Sequence, residues 1–167
     1  MRNNIFKSSL VLVMLFLLSS CGFKPIYKLS NNVIDLRSFS VEILNENTTS
    51  REIKEEIKNS LPPNSNVEKS YIIEILIDEN LVPLITNTDG TVAKYRIEII
   101  MNFKVKGKNN DSYLIEDMVR GFAQYTVETS EIESDDKKKR MIRTATNSAV
   151  QMMISKIQSD ASITNDN

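Results

Sequence analysis

Few residues in this chain can do chemistry. Cys21 is the only cysteine among 167 residues, and histidine is absent. Without histidine, neither a Ser–His nor a Cys–His pair can form, and no imidazole can hold a catalytic zinc. The four glycines form neither a phosphate-cradling loop nor a dinucleotide fingerprint. Acid–base work would fall to carboxylate pairs, of which Glu55-Glu56 and Asp135-Asp136 are the visible ones. Both sit where a helix surface or helix start is expected, the usual place for solvated acids. The inventory points away from an enzyme, with no cofactor and no metal implied.

Cys21 stands where an apolar run stops. Arg2 and Lys7 precede the unbroken apolar stretch Leu10–Leu18. Crossing a bilayer core takes about 20 helical residues, so this stretch is too short to span. It suits the core of an export signal, with Ser19 and Ser20 as the small residues of a cleavage site. Residues 1–20 therefore read as a cleaved signal peptide. Leu18-Ser19-Ser20-Cys21 resembles the bacterial lipobox, which implies S-diacylglycerol on Cys21 and acylation of its freed amine. Each buried methylene contributes ~0.8 kcal/mol, so several acyl chains anchor firmly where one anchors weakly. Gly22, rather than an aspartate, follows the cysteine and favours the outer membrane, on its periplasmic side. A lone cysteine also leaves no intrachain disulfide in an oxidising compartment.

Removal of Arg2 and Lys7 with the signal leaves 19 basic and 22 acidic residues, a net charge of about −3. A nucleic-acid binder would ordinarily show the opposite balance, so no nucleic-acid partner is expected. Residues 21–32 ("CGFKPIYKLSNN") read as a lipidated tether, with Pro25 against helix and Asn31-Asn32 as a turn. One domain is expected over 33–158, followed by a disordered tail at 159–167.

The domain opens with a strand over Val33–Leu44, where Phe39, Val41 and Ile43 alternate with polar neighbours. Thr49 and Glu52 have the spacing of a capping box. They begin a helix whose stripe is Ile53, Ile57 and Leu61 and whose end is Pro62-Pro63. Tyr71–Val82 is a second strand, and Pro83 with Thr86–Gly90 makes the turn to a third. From Ala93 to Val105 every second residue is apolar or aromatic, with Lys94, Arg96, Glu98 and Lys104 among those between; only a strand has this period. Gly107–Asp111 is a hairpin loop. Tyr113–Val127 is a fourth strand whose alternation fails at Asp117, which predicts a bulge there. A last helix from Ser134 or Asp135 carries the stripe Ile142, Ala145, Ala149, Met153 and Ile157. The order βαβββα gives an α+β two-layer sandwich, a four-stranded, mainly antiparallel sheet with two helices on one face. The other face keeps Ile72, Leu76, Ile100, Leu114 and Met118 among its polar residues, and a contiguous apolar patch there would imply a protein partner.

Taken together, Cys21-Gly22-Phe23-Lys24, the segment "GTVAKYRIEIIMNFKV" (Gly90–Val105) and the ending from Val119 to Ile157 resemble the LPS-assembly lipoprotein family, LptE. The likeness covers most of residues 21–158, and its start and central strand are its specific parts. It implies a lipid-anchored plug inside a large outer-membrane β-barrel, LptD, which it helps to assemble, and contact with lipopolysaccharide on its way to the cell surface. A plug must meet a polar lumen, and Lys94, Arg96, Glu98 and Lys104 could face it; they suit a plain solvated sheet face equally well. In the family, basic residues near the turn before the central strand are associated with lipopolysaccharide, whereas Thr86–Gly90 here has no Lys or Arg. Lys137, Lys138, Lys139 and Arg140 at the last helix could serve instead, or could be a solvated helix face. The alternative is a free periplasmic lipoprotein with a hydrophobic or lipid ligand in its own cavity.

Changing Cys21 to Ala should abolish incorporation of radiolabelled palmitate and move the protein out of the membrane fraction. Retention of both label and membrane association would refute acylation at this residue.

Overall fold

A computed structural model describes residues 36–61 and 70–160. The signal segment, Cys21, the tether, Pro62-Pro63 and the tail beyond 160 lie outside the described residues. A 3-10 turn at Leu36–Ser38 leads into β1 (Phe39–Ile43), so the first strand begins later than its alternation suggests. Next come α1 (Arg51–Ser60), β2 (Tyr71–Thr86), β3 (Val92–Gly107), β4 (Tyr113–Thr126) and α2 (Glu131–Ser159). The strands lie side by side in chain order. β1 pairs parallel to β2, and the other two pairings are antiparallel. The fold is α+β, a mixed four-stranded sheet with both helices on one side.

β3 is the spine. Ile97, Ile99, Met101, Phe103 and Val105 are buried on its helix side, where they meet Ile73, Ile75 and Ile77 of β2 and Ile115 and Val119 of β4. Burying one such side chain contributes about 1.5–3 kcal/mol, and β3 supplies more of the sheet's core than any other strand. Two stacked aromatic pairs sit at opposite ends of it: Phe39 on Tyr71, with centroids 4.9 Å apart, and Tyr95 on Tyr125 at 5.5 Å.

β2 runs through Pro83 to Thr86, four residues beyond the expected end. Proline has no amide to give a ladder, so it is tolerated at a sheet edge or a bulge. Both conditions hold here. β1 pairs only with Tyr71–Ile75, leaving the rest of β2 as an edge, and the β2–β3 register slips between Pro83 and Ile85. The turn beyond is tight. Asn87 and Thr91 share a 2.7 Å backbone bond, Gly90 adopts φ +86°, and the Asp89 carboxylate accepts from both the amide and the hydroxyl of Thr91.

Both helix starts differ from the sequence reading. Thr49 does not cap α1; its hydroxyl donates to the Asn45 carbonyl at 2.9 Å, closing the preceding turn, and Ser50 occupies the cap position. α2 begins at Glu131, three to four residues ahead of Ser134 or Asp135. Ser130 is its cap and accepts from the Glu133 amide. The two stripes are as read. Ile53 and Ile57 are buried, as are Ile142, Ala145, Ala149, Met153 and Ile157, with Leu61 packed beside them.

β4 has no bulge at Asp117, which pairs in register with Phe103. The irregularity lies between Ile115 and Tyr113, where Leu114 is the extra residue. Leu114 consequently packs against the core instead of joining the open face, and Tyr113 is directed to that face. Asp117 keeps its helix-side position because α2 supplies a cation: Lys156 pairs with its carboxylate and also donates to the Met118 carbonyl at 3.2 Å. Further along, Gly121 lets α2 lie on the strand itself. A Cβ there would fall 1.9 Å from the Ala145 carbonyl oxygen and 2.8 Å from the Ala149 nitrogen.

Since those atoms are backbone, no rotamer change can make room. Gly121→Ala should cost about 3 kcal/mol, read as a lower urea midpoint with the slope kept. An unchanged midpoint would show that the helix is not seated on this strand.

Candidate functional site

The sheet face away from the helices is where the chemistry-bearing side chains gather. Lys94, Arg96, Glu98 and Lys104 occupy alternate β3 positions and share this face, each half-buried between neighbours. The ladder sets Lys104 between Glu74 of β2 and Glu116 of β4, and its ammonium lies 2.8 Å from Glu116. Lys106 reaches Glu74 at 2.6 Å, and Arg120 lies 3.7 Å from Glu98. Tyr113 stands among these charges, with Lys104 4.9 Å and Lys106 5.8 Å from its ring centroid and its hydroxyl donating to Glu74 at 3.1 Å. The Lys106 bond, aided by the Tyr113 hydroxyl, holds the Glu74 carboxyl below its ordinary value of 4.5 against an opposing desolvation.

Towards the β2–β3 turn the face changes character. Lys94 and Arg96 form no ion pair among the described residues. The Arg96 guanidinium lies 5.6 Å from the ring centroid of Phe122, and its Nε is shielded from solvent with no hydrogen-bond partner. Leu76, Ile100 and Met118 stand on the same face between the two regions. Leu76, Met118 and Phe122 are 41%, 39% and 47% exposed. The expected apolar residues are therefore present, apart from Leu114, but they are interleaved with charge.

The exposed pair Lys104–Glu116 is worth roughly 0–1 kcal/mol, whereas the Glu74 and Glu98 carboxylates are more enclosed. Together these pairs keep a broad sheet face polar while leaving rings and methyls accessible. Lys106, Glu74, Glu116, Arg120, Tyr113 and Phe122 belong to this surface and were not picked out from sequence. Continuing the alternation past Lys104 would have found Lys106. The others required the cross-strand register, and Tyr113 required the bulge.

The remaining candidates lie on the helix layer. Successive helical residues step around the axis, so Lys137, Lys138, Lys139 and Arg140 do not converge on one face. Lys137 pairs with Glu128, and Lys139 with Asp135 at 2.6 Å. Glu55 lies 2.7 Å from Arg51 and 3.7 Å from Arg143, and the hydrogen bond from Arg51 leads in lowering its pKa. Glu56 accepts from Ser60 and Asn147. Among the described residues no group of His, Cys, Asp or Glu is placed to hold a metal ion, and no helix is long and apolar enough to cross a membrane.

No protein-family profile matches the chain, and no curated sequence does. Solved structures do match. A protein of Caulobacter crescentus CB15, provisionally described as a lipoprotein, superposes with a TM-score of 0.61 at 9% identity, over 79% of this chain and 96% of that one. A minor lipoprotein of Acinetobacter baumannii gives 0.52 at 11%, over 75% and 93%. An uncharacterized lipoprotein B of Nitrosomonas europaea gives 0.52 at 14%, over 84% and 97%. The chain shares their fold. At such identities the likeness concerns backbone architecture alone, and this chain spans nearly the full length of each.

Glu74 titrates below its unfolded value, so the stability it lends is complete above about pH 4.5 and disappears as pH falls through the folded-state pKa. Thermal midpoints should drop over that acidic window, and Glu74→Gln should flatten the drop. Identical profiles for the two proteins would remove Glu74 from the account.

Proposed function

We propose that this chain is a lipid-anchored subunit of the outer-membrane lipopolysaccharide translocon, seated as a plug in an LptD-like β-barrel. In this reading it assists the barrel's assembly and the delivery of lipopolysaccharide to the cell surface. The observation that carries the proposal is the open sheet face. It is polar and internally ion-paired around Lys104, Lys106, Glu74, Glu116, Glu98 and Arg120, yet it exposes Leu76, Met118 and Phe122. A barrel lumen is polar and wet, and a plug face that arrives with its charges already paired loses little on entering it. The lipobox at Leu18–Cys21 and the lipoprotein descriptions of the structures sharing this fold support the anchor. Lys94 and Arg96, with no carboxylate partner among the described residues, are the cations best placed for lipopolysaccharide phosphates. Lys138 and Arg140 on α2 are secondary candidates.

Neither of two surface grooves among the described residues favours the free lipid-carrier alternative. The space between Glu128 and the helix residues Glu133, Asp136, Lys137 and Arg140, ≈ 300 Å³, is lined by charges. A second groove is lined by Glu56, Arg143, Thr144 and Asn147. An acyl chain would find no apolar wall in either.

Full-length tagged protein, extracted from its own envelope in mild detergent, should bring down a large β-barrel at about one-to-one ratio by mass spectrometry. Reversing Lys94 and Arg96 to Glu should lower recovery of bound lipopolysaccharide roughly tenfold, the equivalent of 1.4 kcal/mol. Recovery as a lipid-modified monomer without a barrel would overturn the proposal.

A further inference from the structure

The two edges of the sheet are finished differently, and the difference marks one of them as a docking edge. On β2 the pairing with β1 stops at Ile75. One residue pair later the Asn45 side chain takes over. Its amide donates to the Ile77 carbonyl at 2.7 Å, and its carbonyl accepts from the Ile77 amide at 3.1 Å. The carboxamide imitates one peptide of a neighbouring strand and then ends. Residues two apart aim their backbone groups the same way, so Glu79, Leu81 and Pro83 point theirs outward as Ile77 does. No described residue pairs with them. Pro83 confirms the direction, since it sits in the ladder while lacking an amide, and an inward position would have cost a bond to β3.

β4, the opposite edge, is guarded where its outward groups are central. The Met118 amide donates to Asp117 and its carbonyl accepts from Lys156. Side chains thus occupy both groups that an incoming strand would need. β2 has no such guard from Glu79 onward. It also exposes Leu81 and Leu84 to 41% and 40%, and Ile85 to 53%.

We propose that the β2 edge from Glu79 to Pro83 takes up an extended segment of a protein partner as an added strand, the segment alternating apolar and basic residues. The proposal rests on the reading that the chain works with a protein partner. The charge of the edge selects the occupant: Asp78–Thr86 holds two carboxylates and no Lys or Arg. A second copy would bring the same carboxylates to the same edge and, paired about Leu81, would set Glu79 against the amide-less Pro83. The chain's own residues 161–167 carry Asp166 and no base, so they are mismatched as well; the tether 21–32 carries Lys24 and Lys28, and its occupancy of the edge would overturn the proposal. Main-chain bonds would supply the attachment, and Leu81 and Leu84 the side-chain pockets.

Because the Leu81 amide points outward, Leu81→Pro deletes a docking donor without touching the β2–β3 ladder, and Leu81→Ala controls for the side chain. Both should fold with midpoints close to the unaltered protein, checked by circular dichroism. In full-length protein extracted in mild detergent, the amides of Glu79 and Leu81 should exchange at least about tenfold more slowly than in the same protein refolded alone. Partner recovery should fall about tenfold with Leu81→Pro and less than about threefold with Leu81→Ala. Equal exchange in the two preparations, equal losses for the two variants, or cross-linking from position 84 to a second copy would each overturn the proposal. A recovered barrel with freely exchanging edge amides sinks this inference and leaves the plug reading. Slowed edge amides with a partner that is not a barrel do the reverse.

Discussion

The fold depends on β3 being hydrogen-bonded along both sides while its side chains separate into two unlike rows. Sixteen residues from Val92 to Gly107 pair with β2 on one side and β4 on the other. A strand so enclosed cannot slip by one residue, because a slip would carry Ile97, Ile99, Met101, Phe103 and Val105 to the charged face all at once. The helices then have one surface to cover. α2 covers it closely only because Gly121 lets the helix backbone come within van der Waals distance of β4. Core and open face are two consequences of one register.

That register also explains why the open face is neither a plain solvated surface nor a hydrophobic patch. Alternation puts Lys104 and Lys106 beside each other on one face of β3, and antiparallel pairing brings Glu74 and Glu116 to meet them. The charges neutralise one another across strands, leaving Tyr113, Phe122, Met118 and Leu76 accessible within a polar field. Near the β2–β3 turn the compensation stops at Lys94 and Arg96, so the face is neutralised at one end and cationic at the other.

The edges show the same economy of backbone groups. Asn45 ends one pairing, Asp117 and Lys156 occupy another edge, and proline sits where no donor is missed. A bulge, acidic residues and proline are ordinary means of keeping an edge from indiscriminate pairing. On β2 they leave two outward amides, those of Glu79 and Leu81, without a partner among the described residues.

The sequence by itself determined the two-layer α+β order, the β3 core row and both helix stripes. Each of these is written in local periodicity or in contiguous residues, and needs no knowledge of neighbours. The tertiary structure decided what depended on register and on distant partners. Asp117 breaks the β4 alternation and so reads as a bulge; it stays in register because Lys156, thirty-nine residues away, reaches it. Leu114 and Tyr113 exchange faces because Leu114 is the extra residue of the bulge. Pro83 reads as a strand end and is an edge position, since β1 is too short to cover it. Ser130 replaces Ser134 or Asp135 at the start of α2 because a capping hydroxyl needs a free amide three residues on, and only the folded chain shows which amide is free. Local pattern specified which side chains share a face; only pairing across strands specified which charges that face leaves uncompensated.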